Sequence, residues 1–332
     1  MKKGIRLWGF LFCLCPLLPC SVPAQEPNAE LILKSYLYTY PGKVQDVSRS
    51  GRDWTIRIGD ETFYWARGRL LPEGLRDSWE DYRPHTFTIY PEAVPEPGNL
   101  SPEQIEDLRI QGSAAARLDR EDQHHAFQGA LYGGVTRPEI ERNLAREQFL
   151  GHPVTIHRDM TEPLRRVARA INAAAERDQE IADFIAAIRS VEGYNWREIR
   201  GTRRMSYHSW GLAVDILCDQ QQSSGQRSGD PAANRGDRLV VYWLWERSHN
   251  DNWMLVPLEK RWMPPAPVIR AFENEGFIWG GKWALYDNMH FEFRPELHEL
   301  NRLQRGDPGE TRIIKSENLP NLHHLYPVIP AR

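Results

Sequence analysis

Ser206-Tyr207-His208-Ser209-Trp210-Gly211-Leu212-Ala213-Val214-Asp215 sets an imidazole and a carboxylate seven positions apart, with a glycine between them that lets the backbone turn. The end of this stretch, Ala213-Val214-Asp215-Ile216-Leu217, reads as a strand. Ala213, Asp215 and Leu217 then share one face, and Val214 and Ile216 take the other. Asp215 projects from a segment that is otherwise apolar on both faces, where a carboxylate is costly to bury unless a cation neutralises it. A His and an Asp at this spacing would alone read as a surface strand with an ordinary aspartate, so a second block has to decide.

That block is Asp287-Asn288-Met289-His290-Phe291-Glu292, a second imidazole with an acid three residues earlier. Two histidines, one carboxylate and a spare acid are the parts of a catalytic zinc site. Three protein ligands hold the ion, a water takes the fourth position, and a nearby carboxylate works that water as a base. His208, Asp215 and His290 are the expected ligands of a single Zn2+ ion. Asp287 can reach a water at the metal without itself coordinating, and serve first as general base and then as general acid. The plain alternative is a turn aspartate in Tyr286-Asp287-Asn288. Glu292 has two equal readings, an acceptor for the far nitrogen of a ligand imidazole or a salt-bridged strand residue.

Ser-x-His-x-x-Gly-x-Ala-x-Asp, followed about eighty residues later by Asp-x-x-His, resembles the zinc peptidases of the D-alanyl-D-alanine carboxypeptidase type. That group also includes VanY-like and VanX-like enzymes and the L-alanyl-D-glutamate endolysins. Gly193-Tyr194-Asn195-Trp196-Arg197 upstream, and Gly276-Phe277-Ile278-Trp279-Gly280-Gly281-Lys282-Trp283 before the second histidine, agree with it. The likeness covers roughly residues 160 to 300. It implies an α+β fold: a small, mostly antiparallel sheet with flanking helices around an open zinc cleft, here preceded by a small β-rich N-terminal region. It implies hydrolysis of amide bonds in the peptide part of peptidoglycan, with D-Ala-D-Ala cut as a carboxypeptidase. An endopeptidase cutting L-Ala-D-Glu or a crosslink shares the same motifs. A metal-stabilised wall-binding protein without turnover, as in hedgehog-type domains, is the rival from another class.

The resemblance also assigns residues. Asp287 matches the family's catalytic acid, and Arg197, among Arg197, Arg200, Arg203 and Arg204, best matches its upstream arginine, which would share the oxyanion. Ser206 would orient substrate; no G-x-S-x-G context supports it as a nucleophile. Trp210, Trp279 and Trp283 could line a substrate cleft, with Gly280-Gly281 allowing close backbone approach. Core packing competes with that reading in a chain of twelve tryptophans, and for Trp279 the two are even. The remaining histidines, His124-His125 and His323-His324 among them, lack an acidic partner at ligand spacing and read as surface residues.

The chain has 332 residues and opens like an export signal: Lys2, Lys3 and Arg6, an apolar run from Leu7 to Leu18, then Val22-Pro23-Ala24 as a cleavage site. The apolar run is too short to stay as a membrane-spanning helix. The expected location is periplasmic or cell-envelope, with residues 1–24 as signal. A lipoprotein anchored at Cys20 competes, although Pro19 fits the lipidation motif poorly; membrane contact is expected only in that case. Three of the four cysteines lie in the signal, so Cys218 has no partner and reads as a small buried hydrophobe. A formal charge of −3 leaves no basic stripe for nucleic acid, and the expected partners are peptidoglycan peptides.

Beyond the signal, the sequence divides into a β-rich region over 26–98, a helical linker region over 99–160, a zinc peptidase domain over 161–300 and a C-terminal extension over 301–332. Trp54-Thr55-Ile56-Arg57-Ile58 and Thr62-Phe63-Tyr64-Trp65 read as a hairpin across Gly59-Asp60, and Thr86-Phe87-Thr88-Ile89-Tyr90 as a further strand. The Pro-rich stretch 91–98 reads as a linker, and 26–98 as a wall-binding or positioning module. Ser101-Pro102-Glu103-Gln104 and Thr136-Arg137-Pro138-Glu139 open helices with capping boxes, the second continuing through Ile140 and Leu144. Further helices are expected from Thr161 (Leu164, Val167, Ala168, Ile171) and over Ile181, Phe184, Ile185 and Ile188. Another runs over Val268–Glu275 and is closed by Gly276. The polar run from Gln220 to Arg238 reads as a surface loop rimming the site.

Overall fold

Asn28 begins the ordered architecture by accepting a hydrogen bond from Leu31 N, which caps α1 (Ala29–Thr39). The computed structural model describes residues 28–84, 90–118, 123–202, 204–219, 221 and 239–306. The β reading of 26–98 is corrected at this helix. Its apolar residues Ile32, Leu33 and Tyr36 recur at helical spacing and are buried, and Glu30 pairs with Lys34 one turn on. The expected hairpin follows. β1 (Val44–Ser50), β2 (Asp53–Ile58), β3 (Glu61–Ala66) and β4 (Arg69–Pro72) form an antiparallel meander in that order, with Ile56 opposite Phe63. Both of those side chains are fully buried, so one face of the sheet is core.

The strand expected over 86–90 falls almost wholly outside the described residues, but Tyr90 does not. Its ring is buried, its hydroxyl donates to Glu273 Oε1 (2.5 Å), and Trp279 N donates back to it at 3.0 Å. Pro97 is buried as well, so the stretch 91–98 is packed on the chain at both ends.

α2 (Pro102–Gly112) opens with the expected capping box of Ser101 and Gln104. α3 (Ala114–Leu118), α4 (Ala126–Tyr132) and α5 (Arg137–Glu141) follow. α5 has its Thr136/Glu139 capping box but ends at Glu141, so Leu144 is not on it. Leu144 instead starts β5 (Leu144–Phe149), which pairs with β6 (His152–His157). That hairpin went unread because its turn puts Leu150 at φ +48 beside Gly151, and leucine is not a residue that announces a left-handed turn.

α6 (Thr161–Ala175) and α7 (Gln179–Ala186) appear as expected, burying Leu164, Val167 and Ile171, and Ile181 and Phe184. Ile188 is corrected from helix to strand: it opens β7 (Ile188–Glu192). β8 (Ala213–Cys218) is the strand read from the first motif, and Cys218 at its end is buried. After the short helix α8 (Trp243–Glu246) come α9 (Ala266–Asn274), with Gly276 just beyond its end, then β9 (Phe277–Trp279), β10 (His290–Phe293) and α10 (Pro295–Gln304). The second sheet has the order β7-β8-β10-β9 and every pairing in it is antiparallel. The α+β architecture is therefore the one expected from the sequence.

One apolar core runs from Ile32 and Leu33 in α1 to Leu297 and Leu300 in α10. Phe272 of α9 stacks on Phe291 of β10 with ring centroids 3.9 Å apart, which fixes the central strand of the second sheet against its helix. Each such buried phenylalanine contributes about 1.5–3 kcal/mol of burial free energy. A second cluster of Leu108, Trp243, Trp253, Met254 and Tyr286 clamps α2 to the segment beside the second motif. Of the polar run 220–238 only Gln221 is described. It is buried, with Nε2 donating to Ile216 O at 2.9 Å, so this one residue is not part of a surface loop. Among the described residues no helix is long and apolar enough to cross a membrane.

Candidate metal centre

His208 rides on a single 3-10 turn, Tyr207–Trp210, set up by the residues on either side of it. Ser206 caps the turn, its Oγ accepting from His208 N at 3.3 Å. Gly211 ends it at φ +68, and a Cβ there would lie 2.7 Å from His157 N. Both the left-handed backbone and the contact demand glycine. The chain then enters β8, where Asp215 stands directly opposite His290 of β10. Cross-strand partners share a sheet face, so strand register alone brings the two motifs together.

The three expected ligands converge. Their donor atoms all lie within 4.8 Å of one another, and all three side chains are buried. His290 Nδ1 is 2.7 Å from Asp215 Oδ1, His208 Nε2 is 3.2 Å from Asp215 Oδ2, and the two ring nitrogens are 3.2 Å apart. Donors held about 2.0–2.1 Å from a tetrahedral zinc ion stand about 3.3 Å from one another. The two ring nitrogens already stand close to that separation, while His290 Nδ1 and Asp215 Oδ1 would have to part by about 0.6 Å to take one.

The far side of each imidazole decides which nitrogen is offered. His208 Nδ1 faces Gly193 O at 2.6 Å, which fixes the proton there and leaves the Nε2 lone pair for the centre. His290 is reversed: its Nε2 faces Glu292 Oε1 at 3.1 Å, so Nδ1 points to Asp215 and His208. Glu292 thereby faces the far nitrogen of His290 and also pairs with Arg294, 3.6 Å from its Nη1, so both of its sequence readings describe it. Burial opposes ionisation of Asp215, but the two histidines outweigh it and hold its carboxyl well below the usual range. Burial likewise pulls His290 down, yet the Asp215 charge and the bonds to Asp215 and Glu292 raise its pKa well above that of an ordinary histidine. A proton thus sits among these three groups where a cation can replace it. Two imidazoles with chosen lone pairs and one ionised carboxylate fit zinc.

Asp287 lies one turn before His290, with His290 N donating to Asp287 O at 3.2 Å. Its Oδ1 is buried and has no hydrogen-bond partner in the protein. Burial pushes its carboxyl up to about 8, the Asp215 charge adds to this, and His290 and Arg197 act against it. A carboxyl with one free oxygen and an affinity for protons near neutrality is suited to carry a proton. Gly280 makes this position possible. Asp287 N donates to Gly280 O at 3.0 Å, and a Cβ on Gly280 would stand 2.5 Å from Asp287 O.

The other expected site residues divide. Arg197 is exposed, on the loop beside His208, where Ser206 N donates to its carbonyl at 3.1 Å and its charge reaches Asp287. Ser206 is buried under the His208 turn as its cap. Trp279 is buried at 1% exposure, with Nε1 donating to Asn288 O at 2.8 Å, so it braces the second motif from within the core. Trp283 is the tryptophan beside the centre, half-buried with its ring 5.6 Å from that of His290. Arg203 lies outside the described residues. The surface reading of the remaining histidines fails at His157, which is buried and 3.5 Å from Asp159 Oδ2, with Nε2 on Tyr132 O at 3.0 Å. His124 and His125 are half-buried, their rings against Tyr82 and Trp210. His323 and His324 lie outside the described residues.

Sequence reasoning missed Tyr242. An isolated antiparallel bridge joins it to Asp287, its hydroxyl is hydrogen-bonded to Arg117, and Asp287 is the first charge acting on it after burial itself. Only its place in the aromatic run Val240 to Trp245 marked it.

Residues 200–293 match the peptidase family model described as D-alanyl-D-alanine carboxypeptidase, and His208, Asp215, Asp287 and His290 all fall within the match. The resemblance drawn from the two motifs agrees with this match, which supports a zinc peptidase at family level for this segment. Residues 32–87 match a second model, described as a domain of unknown function. No curated protein and no solved structure matches the chain.

Proposed function

We propose that the protein is an exported carboxypeptidase that removes the terminal residue from D-Ala-D-Ala stem peptides of peptidoglycan, using one zinc ion held by His208, Asp215 and His290. The observation that carries this reading is the pairing of the buried donor trio with the partnerless Oδ1 of Asp287. A zinc ion bound there supplies a Lewis acid that polarises the scissile carbonyl and acidifies water.

The chain's own groups do the rest. Gly193 and Glu292 keep His208 Nε2 and His290 Nδ1 aimed at the centre, and Asp215 supplies the charge that makes it attractive to a cation. Asp287 Oδ1 takes the proton from the attacking water and returns it to the leaving amine. Its raised pKa favours holding that proton between the two steps, and a dication beside it works in the opposite direction. Arg197, within electrostatic reach of Asp287, shares the negative charge that develops on the carbonyl oxygen. Trp283 forms an apolar wall next to His290. Residues 1–24 supply the export that a wall substrate requires.

Mass spectrometry of purified pentapeptide muropeptides after incubation with zinc-loaded protein tests the reading. Loss of one terminal alanine is the expected result. Release of an L-Ala-linked fragment, or opening of a crosslink, would make the enzyme an endopeptidase. No change on any of these substrates by a protein that binds zinc would make it a metal-stabilised binding protein.

A further inference from the structure

His290 is held through a buried relay that ends in the N-terminal helix. Its Nε2 meets Glu292 Oε1 at 3.1 Å, and Glu292 Oε2 lies 3.6 Å from Arg294 Nη1. Arg294 Nε donates to Glu296 Oε1, and Tyr40 Oη donates to Glu296 Oε2 at 3.0 Å. Tyr132 Oη stands 3.0 Å from Tyr40 Oη. A phenol has one proton, so a Tyr40 that donates to Glu296 accepts from Tyr132. Tyr40 is the C-cap of α1, and Tyr36, one turn earlier, is hydrogen-bonded to Arg294. Tyr40, Tyr132, Arg294 and Glu296 are all at most 8% exposed.

Such a chain is costly to leave half-satisfied. The Glu296 carboxylate and the Arg294 guanidinium are buried beside the partly buried Glu292, and each is kept in place by the next. Without the Tyr40 hydroxyl, Glu296 loses its second donor and draws Arg294 toward itself. Arg294 then moves off Glu292, which loosens the acceptor that orients His290. The N-terminal helix is packed along α10, so this link is part of one core rather than a chance surface contact.

We infer that Tyr40 is a positioning residue for the metal ligand His290, and that the helix carrying it is a working part of the centre rather than a detachable targeting module. This gives the segment matching a domain of unknown function a role in the metal site, and it rests on the proposed zinc centre.

The test compares zinc affinity, by chelator competition, and the absorption spectrum of the cobalt-substituted full-length protein, for wild type, Tyr40→Phe, Glu296→Gln and Ile32→Val. Outer partners of metal ligands are worth about 10–100-fold in affinity. Tyr40 acts through two further groups, so about a fivefold loss is expected for Tyr40→Phe, with a shifted cobalt spectrum. Glu296→Gln should act in the same direction, and the double variant should lose less than the product of the single losses. Ile32→Val, a packing change on the same helix, should lower thermal stability and leave affinity and spectrum unchanged. Wild-type affinity and spectrum in Tyr40→Phe would overturn the inference while leaving the zinc centre intact. If Tyr40→Phe does not fold, Glu296→Gln decides by the same two readouts. A wild type that binds no zinc would remove the centre and the inference together.

Discussion

Gly280 and Asp287 are joined backbone to backbone: Asp287 N donates to Gly280 O at 3.0 Å, and a side chain on Gly280 would stand 2.5 Å from Asp287 O. The proton carrier of the proposed reaction is thus placed by a glycine seven residues earlier. Gly280→Ala must push the Asp287 backbone away. Displacement of a catalytic group by about 1 Å can cost about a hundredfold, so a loss of about ten- to a hundredfold in kcat/KM is expected, with zinc content unchanged. Parallel measurement of metal content and kcat/KM checks it; full activity in the alanine variant would show that Asp287 is not held in this way.

Glu292 orients His290 from outside the centre. Glu292→Gln keeps the shape and removes the charge, and zinc affinity should fall by about tenfold or more. Zinc competition against a chelator measures this directly. An unchanged affinity would return Glu292 to the role of a salt-bridged strand residue, paired with Arg294 alone.

The site was more legible in the sequence than its surroundings. His208, Asp215 and His290 each sit in a short motif whose local backbone needs, a turn glycine and two short strands, are written beside them. Glu292 stayed ambiguous because its role depends on which side of His290 faces it, and that follows from strand register. Tyr242 was invisible because a single bridge between distant segments brings it to Asp287. In the N-terminal region the hairpin is plain from alternation, while α1 lies inside a stretch that reads as mainly β. Its signals, the Asn28 cap and the Glu30/Lys34 pair, are weak beside the β preference of Ile32, Tyr36 and Tyr38. The tight turn at Leu150 hid the β5–β6 hairpin for the opposite reason, since it uses a residue that turns ordinarily avoid.

Metal and protons compete for the same atoms, which fixes a pH dependence. The raised pKa of His290 stabilises the metal-free fold fully below the ordinary histidine value of 6.5, and that contribution is lost as pH rises through the raised value. The lowered pKa of Asp215 contributes above the ordinary aspartate value of 3.8 and is lost as pH falls through the lowered one. For these two groups the metal-free protein is most stable between 3.8 and 6.5. Zinc requires Nδ1 of His290 without its proton, so the metal's own stabilisation grows with pH. Thermal unfolding with and without zinc at about pH 5.5 and about pH 8 should give the larger metal-induced rise in Tm at the higher pH. An equal rise at both would mean that no proton is displaced.

The most direct measurement is of Asp287→Asn, by zinc content and by kcat/KM on a D-Ala-D-Ala pentapeptide. The substitution preserves size and leaves all three metal ligands untouched, while removing the group that carries the proton. One zinc per chain should remain, with kcat/KM lower by about a hundred- to ten-thousandfold. Activity equal to wild type at full zinc occupancy would contradict the assignment of Asp287 as the group that carries the proton.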